Sequence, residues 1–165
     1  MELRNLGSSD IKISPIIMGT WQAGRDMWAD IDDAETTRAI QAAVEAGVNT
    51  IDTAAVYGKG HSERLVGKAV GEWRPKVVIA TKVFANELQY DQVIAACERS
   101  LANLQTDYID LYQIHWPSGS FGSPVVPIEE TMRALNALNE QGKIRAIGVS
   151  RSSTMRVSPC RTIRR

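Results

Sequence analysis

The stretch Asn49-Thr50-Ile51-Asp52-Thr53-Ala54-Ala55-Val56-Tyr57-Gly58-Lys59-Gly60-His61-Ser62-Glu63 decides how the rest of the chain reads. It opens as a short apolar strand, breaks into a glycine-containing loop and enters a helical pattern. Ser62 is the expected N-cap and Glu63 falls in the first turn. Asp52 stands where a buried strand runs out, and Tyr57 lies on the loop beyond. In parallel α/β proteins the C-terminal ends of strands are where ligands bind and chemistry is done.

Two later segments repeat the arrangement. Val77–Lys82 is a buried strand ending in lysine, and Ile109–His115 is a strand ending in histidine, with Trp116 and Pro117 next. One polar strand end is ordinarily a cap or a solvated terminus. Three in succession, Asp52, Lys82 and His115, with Tyr57 one loop away, mark a site.

Around these strands the pattern alternates. Residues 1–15 read as a hairpin with its turn at Gly7–Asp10. Ile16–Thr20 is a first buried strand, ended by Gly19, and Trp21 and Trp28 lie on the loop after it. Asp32 or Asp33 caps a helix whose inward positions are Thr36, Ala39, Ile40, Ala43 and Val44, closed by Gly47. Further helices are expected over residues 62–72, 91–104 and 128–141, the second with Cys97 in its buried stripe. A fifth strand covers Ile144–Ser150. Strict strand–helix alternation implies parallel strands and right-handed crossovers. Between an open doubly wound sheet and a (β/α)8 barrel of the TIM type, the barrel fits better. Gly19-Thr20-Trp21-Gln22-Ala23-Gly24 is no G-x-G-x-x-G turn, and Gly58-Lys59-Gly60 lacks a third glycine. The polar strand ends are also spread over successive strands.

At 165 residues and 44% apolar content the chain has the size of one domain with a real core. Its 19 basic and 19 acidic residues balance, so there is no electrostatic footprint for nucleic acid or an anionic membrane. No apolar run reaches membrane-spanning length and no signal-peptide pattern opens the chain. The two cysteines, Cys97 and Cys160, have no metal-ligand spacing, which points to a reducing compartment and a cytoplasmic protein. Residues 151–165 break the pattern, with five arginines and no acidic residue. We read 1–150 as a partial barrel and 151–165 as an aberrant basic tail, out-of-frame sequence where further barrel would follow. The plain alternative is a disordered basic tail.

The sequence resembles the aldo-keto reductases. The matching text is Ile51-Asp52-Thr53-Ala54 with Tyr57-Gly58 and Ser62-Glu63, then Ala80-Thr81-Lys82. Next come Asp110-Leu111-Tyr112 with Ile114-His115-Trp116-Pro117, and last Gly142-Lys143-Ile144-Arg145 with Ile147-Gly148-Val149-Ser150. The resemblance implies a (β/α)8 barrel over an N-terminal hairpin, with the hairpin and about five of eight strands in this chain. It implies NADP(H) as cofactor and reduction of a small aldehyde or ketone. By the same resemblance Tyr57 is the general acid, Lys82 and Asp52 tune it, and His115 orients the carbonyl. Gly19, Thr20, Trp21, Asp52 and Ser150 lie beside the cofactor, and Trp21, Tyr57, His115 and Trp116 meet the substrate. The family's usual asparagine after the last serine is Arg151 here.

The chemistry needs such a set. Negative charge develops on the carbonyl oxygen, and a phenol of pKa near ~10 gives up its proton reluctantly. A neighbouring ammonium favours the phenolate, and an imidazole N–H stabilises the oxyanion. Each residue also has a structural alternative. Tyr57 would pack on the rim, Lys82 and Asp52 would form an ion pair closing the strand ends, and His115 would be a core histidine. A metal held by Asp52, His61 and His115 lacks ligand-pair spacing. Five strands do not close an eight-stranded barrel, so aggregation, partial folding or self-association through open edges is expected. A non-catalytic remnant or interaction module of the same fold is the competing reading.

Overall fold

The computed structural model describes residues 1–26 and 28–150. The basic tail expected over 151–165 lies outside the described residues. A short antiparallel hairpin, β1 (Arg4–Asn5) with β2 (Lys12–Ile13), precedes a five-stranded parallel sheet. Its strands are β3 (Met18–Gly19), β4 (Thr50–Asp52), β5 (Val78–Val83), β6 (Ile109–Ile114) and β7 (Ile144–Val149), paired in chain order. The helices α1 (Asp33–Glu45), α2 (His61–Val70), α3 (Tyr90–Leu104) and α4 (Ile128–Glu140) fall between consecutive strands.

Residues of one parity along each strand build the core against the helices. Ile51, Ile79 and Tyr112 pack with Val66, Val93, Cys97, Leu101, Leu135 and Leu138 in one cluster. The other parity faces a cavity that the hairpin closes from below. Leu6 and Ile13 line it together with Thr50, Asp52, Val78, Ala80, Leu111 and Gln113. Asn49 fixes that floor, accepting from Ser14 N and donating to Lys12 O. Because side chains alternate along a strand, Asp52, Lys82 and His115 continue the inward series 50–52, 78–80–82 and 111–113–115.

Several local expectations change. The first strand is only Met18–Gly19, and Ile16 and Ile17 are 61% and 48% exposed. As an edge strand β3 has one partner, and Ile17 lines the open inner cavity beside Leu6 and Ile13. Ala39 is exposed and α1 fully buries only Ile40, because α1 packs chiefly on α2 at the margin of the layer. Asp32 caps α1, its carboxylate accepting from Glu35 N. The N-cap of α2 is Gly60 at φ 84°, not Ser62. Ser62 instead sits inside the first turn, fully buried, with its hydroxyl 2.8 Å from both Thr20 O and Thr20 Oγ1.

Gly67 marks the closest approach of α2 to the end of α3. A Cβ there would lie 2.4 Å from Leu104 O and 2.6 Å from Leu104 C, both backbone atoms. Alanine gains up to ~1 kcal/mol of helix propensity over glycine, but overpacking typically costs about 1–3 kcal/mol. Gly67→Ala is therefore expected to lower the urea midpoint; a raised midpoint would show that the two helices are not held at this spacing.

Candidate functional site

Lys82 ends the inward series of β5 and is almost entirely buried, at 4% exposure. Its ammonium donates to Asp52 Oδ2 at 2.8 Å and to Thr53 O at 2.7 Å, and stands 3.5 Å from Tyr57 Oη. An ammonium has three N–H donors and no acceptor. Two are committed to the end of β4, and the third lies toward the phenol. Burial pulls the Lys82 pKa below its ordinary value, against the charge and hydrogen bond of Asp52 and the charge of Glu63.

The register of the sheet brings these groups together. Asp52 pairs with Ala80, so Lys82 stands two residues further along its own strand. Lys82 pairs with Gln113, so His115 stands two further again. Its backbone N–H is fixed by Val83 O at 2.9 Å. The His115 ring meets Tyr57 edge-on, with centroids 5.8 Å apart and planes at 81°. Tyr57, Lys82, His115 and Trp116 share one cleft of about 450 Å³ with Trp21 and Ser150.

The remaining candidates divide. Trp21 is half-exposed in the cleft with its ring edge-on to Trp28. Ser150 follows β7 and is held by its N–H to Ile114 O. Gly19 lines the inner cavity beside Asp52 rather than the cleft. Thr20 is buried, and its hydroxyl donates to Asp52 O and lies beside Ser62, tying β3, β4 and α2 together. His61 is apart from Asp52 and His115, with Nε2 2.9 Å from Asp33 Oδ1. Burial pushes the Asp33 pKa up, but the His61 hydrogen bond and the charges of His61 and Arg25 outweigh it and hold it low. Among the described residues no group of three His, Cys, Asp or Glu is placed to hold a metal.

Other side chains enter the site without a sequence signal of their own. Phe84 and Phe121 stack at 5.5 Å, and Phe121 lies edge-on to Trp116 at 5.0 Å. Asp26 lines the same cleft and accepts from Gly58 N at 2.7 Å. Phe121 is one aromatic and Asp26 one acid, each in a loop of irregular sequence that does not single it out. Glu63, expected near a helix start, is fully buried and accepts from Thr81 Oγ1 and Asn103 Nδ2.

Residues 15–163 match the Aldo/keto reductase family. The chain belongs to that family. The matched range continues past residue 150. The aldo-keto reductase YhdN of Bacillus subtilis is 42% identical over 173 residues, 99% of this chain and 51% of its own length. The methylglyoxal reductase YeaE of Escherichia coli is 42% identical over 143 residues, 87% of this chain and 47% of its own. An aldo-keto reductase from Klebsiella pneumoniae, solved in complex with NADPH, superposes with a TM-score of 0.74 at 35% identity. That superposition covers 84% of this chain and 45% of the Klebsiella chain. The fold is of the (β/α)8 barrel type, of which the described residues supply the hairpin and five strands. The chain thus spans about half the length of the relatives it matches.

Because the folded-state pKa of Lys82 is depressed, the unfolded chain binds more protons just below the ordinary lysine value. Stability therefore rises with pH in that window. Wild type is expected to gain on Lys82→Met between pH 7 and 10 in urea unfolding. The Cys97 thiol, pushed up to about 12 by burial, weakens both proteins above pH 9 and cancels in the comparison. A gap that stays constant, or moves the other way, would contradict the buried ammonium.

Proposed function

We propose that this chain carries the carbonyl-reducing centre of an NADP(H)-dependent oxidoreductase, with Tyr57 as general acid. The observation that carries the reading is the Lys82 ammonium, held by Asp52 Oδ2 and Thr53 O and 3.5 Å from the Tyr57 hydroxyl. The substrate class is a small aldehyde or ketone. Its support is the family and the naming of the Escherichia coli relative as a methylglyoxal reductase.

The donor set of the cleft fits the nicotinamide end of the cofactor. Trp21 offers an exposed indole and Ser150 a hydroxyl at the end of β7, both lining the cleft of Tyr57. Asp52, Gly19 and Thr20 frame the strand ends beside them. When bound, NADPH supplies the hydride.

The chain's own residues do the rest. As negative charge grows on the carbonyl oxygen, the Tyr57 hydroxyl gives it a proton. The Lys82 charge favours the phenolate left behind. Asp52 keeps that ammonium charged and aimed. His115 donates a hydrogen bond to the same oxygen, stabilising charge where it develops. Phe84, Trp116 and Phe121 wall the cleft with apolar surface, and excluding water strengthens each of these interactions.

The test is carbonyl-dependent oxidation of NADPH by the purified chain. Positioned acids contribute typically ~10²–10⁴-fold, so Tyr57→Phe is expected to lose roughly that much kcat while binding NADPH normally. Turnover by Tyr57→Phe at the wild-type rate would remove the phenol from the mechanism. If fluorescence titration finds no cofactor binding at millimolar NADPH, the chain is better read as a non-catalytic module of the same fold.

A further inference from the structure

The loop that carries Tyr57 is held both by its own backbone and by neighbouring elements. Within residues 54–62 it is tied to itself. Tyr57 N–H donates to Ala54 O, Tyr57 O accepts from Ser62 N, and Gly58 O accepts from His61 N. These bonds shape the loop but do not say where it sits against the rest of the site. A second set of contacts joins it to the loop after β3. There the Asp26 carboxylate accepts the Gly58 N–H at 2.7 Å, and that N–H belongs to the peptide directly following Tyr57.

The two backbones also touch. A Cβ on Gly24 would lie 2.7 Å from Gly58 N and 2.7 Å from Tyr57 C. A Cβ on Gly58 would lie 2.3 Å from Gly24 O, and Gly58 already has φ +62°. Only glycine fits such an approach of backbone to backbone. Between Gly24 and Asp26, Arg25 donates to Asp33 Oδ1, which is also 2.9 Å from His61 Nε2 at the start of α2. The contacts at Gly24, Asp26 and Asp33 clasp the Trp21 loop to the Tyr57 loop.

We infer that Asp26 is a positioning residue for Tyr57, its carboxylate fixing the peptide that sets the phenol against Lys82. Asp26 is an exposed residue, so packing does not demand a carboxylate there. Its charge is also the wrong sign for the chemistry, since an anion near a phenol disfavours the phenolate. A hydrogen bond to the loop is what remains to be gained. Asparagine keeps an acceptor oxygen at the same place and alanine does not, so the two substitutions separate the bond from the charge. The catalytic consequence rests on the reductase reading of Tyr57; the structural one does not.

The experiment compares the full chain with Asp26→Ala and Asp26→Asn, each labelled with 3-fluorotyrosine. The Tyr57 fluorine resonance is assigned by its loss in Tyr57→Phe. Amide exchange at Gly58 is measured beside it. A hydrogen bond to a charged group is worth enough to slow exchange by about tenfold or more. Asp26→Ala is expected to speed Gly58 exchange by about that factor and to move the Tyr57 resonance. Asp26→Asn recovers most of both. With turnover measured, Asp26→Ala lowers kcat about tenfold at little change in KM, and Asp26→Asn regains most of it.

Three results overturn the inference: Gly58 exchange unaltered in Asp26→Ala, faster exchange with the Tyr57 resonance unmoved, or Asp26→Asn displaced as far as Asp26→Ala. The exchange and fluorine readouts need no cofactor. A chain without NADPH-dependent turnover would therefore sink the reductase reading while these two still decide the role of Asp26.

Discussion

A lysine ammonium taken out of water costs several kcal/mol unless other groups replace the lost solvation. Lys82 is nearly inaccessible, and the end of β4 offers it one carboxylate oxygen and one main-chain carbonyl. Its lowered pKa means that burial outweighs the attraction of Asp52. Such a charge is a poor choice for stability alone, since an apolar residue would fill the place without that cost. Where it stands, the ammonium sets a positive field at the Tyr57 hydroxyl, 3.5 Å away. Asp52 is a third exposed, so it keeps part of its own hydration while holding the lysine. The carboxylate thus steadies the ammonium without being fully desolvated itself.

The sheet makes that placement possible through parity and stagger. Parallel pairing offsets each successive strand, so the polar residue ending β5 stands two positions beyond the partner of Asp52, and His115 two beyond the partner of Lys82. A slip of one residue in either pairing would turn the corresponding side chain to the helix-covered face. The opposite parity is occupied by Ile51, Ile79 and Tyr112 of the core. Burying those apolar side chains therefore also fixes the inward direction of Asp52, Lys82 and His115.

This coupling explains what could be read without coordinates. Strands announce themselves by short apolar runs, and the polar residue that ends each run is visible at once. The three strand-end side chains, with Tyr57 one loop on, and the parallel order were accessible in that way; the place of the hairpin beneath the barrel came only from the family resemblance. A serine before a helical run ordinarily caps it, but here Gly60 in the left-handed conformation ends the loop one residue before the helix, which leaves Ser62 inside the first turn. Ile16 and Ile17 looked like core because hydropathy does not know which strand is at an edge. Asp26 and Gly24 gave no signal at all, since their importance lies in a contact between loops more than 30 residues apart.

The same stretch also shows why a motif is a poor guide to which of its members touch a ligand. Asp52 and Tyr57 reach the cleft, while Ser62 and Glu63, only a few residues on, are fully buried. Ser62 joins Thr20 and Thr53, and Glu63 joins Thr81 and Asn103. These bonds connect the start of α2 to β3, to the end of β4, to β5 and to α3. A buried hydroxyl or carboxylate without such partners would be costly, so each tolerates little displacement of its neighbours. Thr81 precedes Lys82 and Thr53 supplies the carbonyl that accepts from it, so the network grips the lysine from both sides along the chain. Residues that line the cleft and residues that hold its frame thus lie only a few positions apart in the sequence.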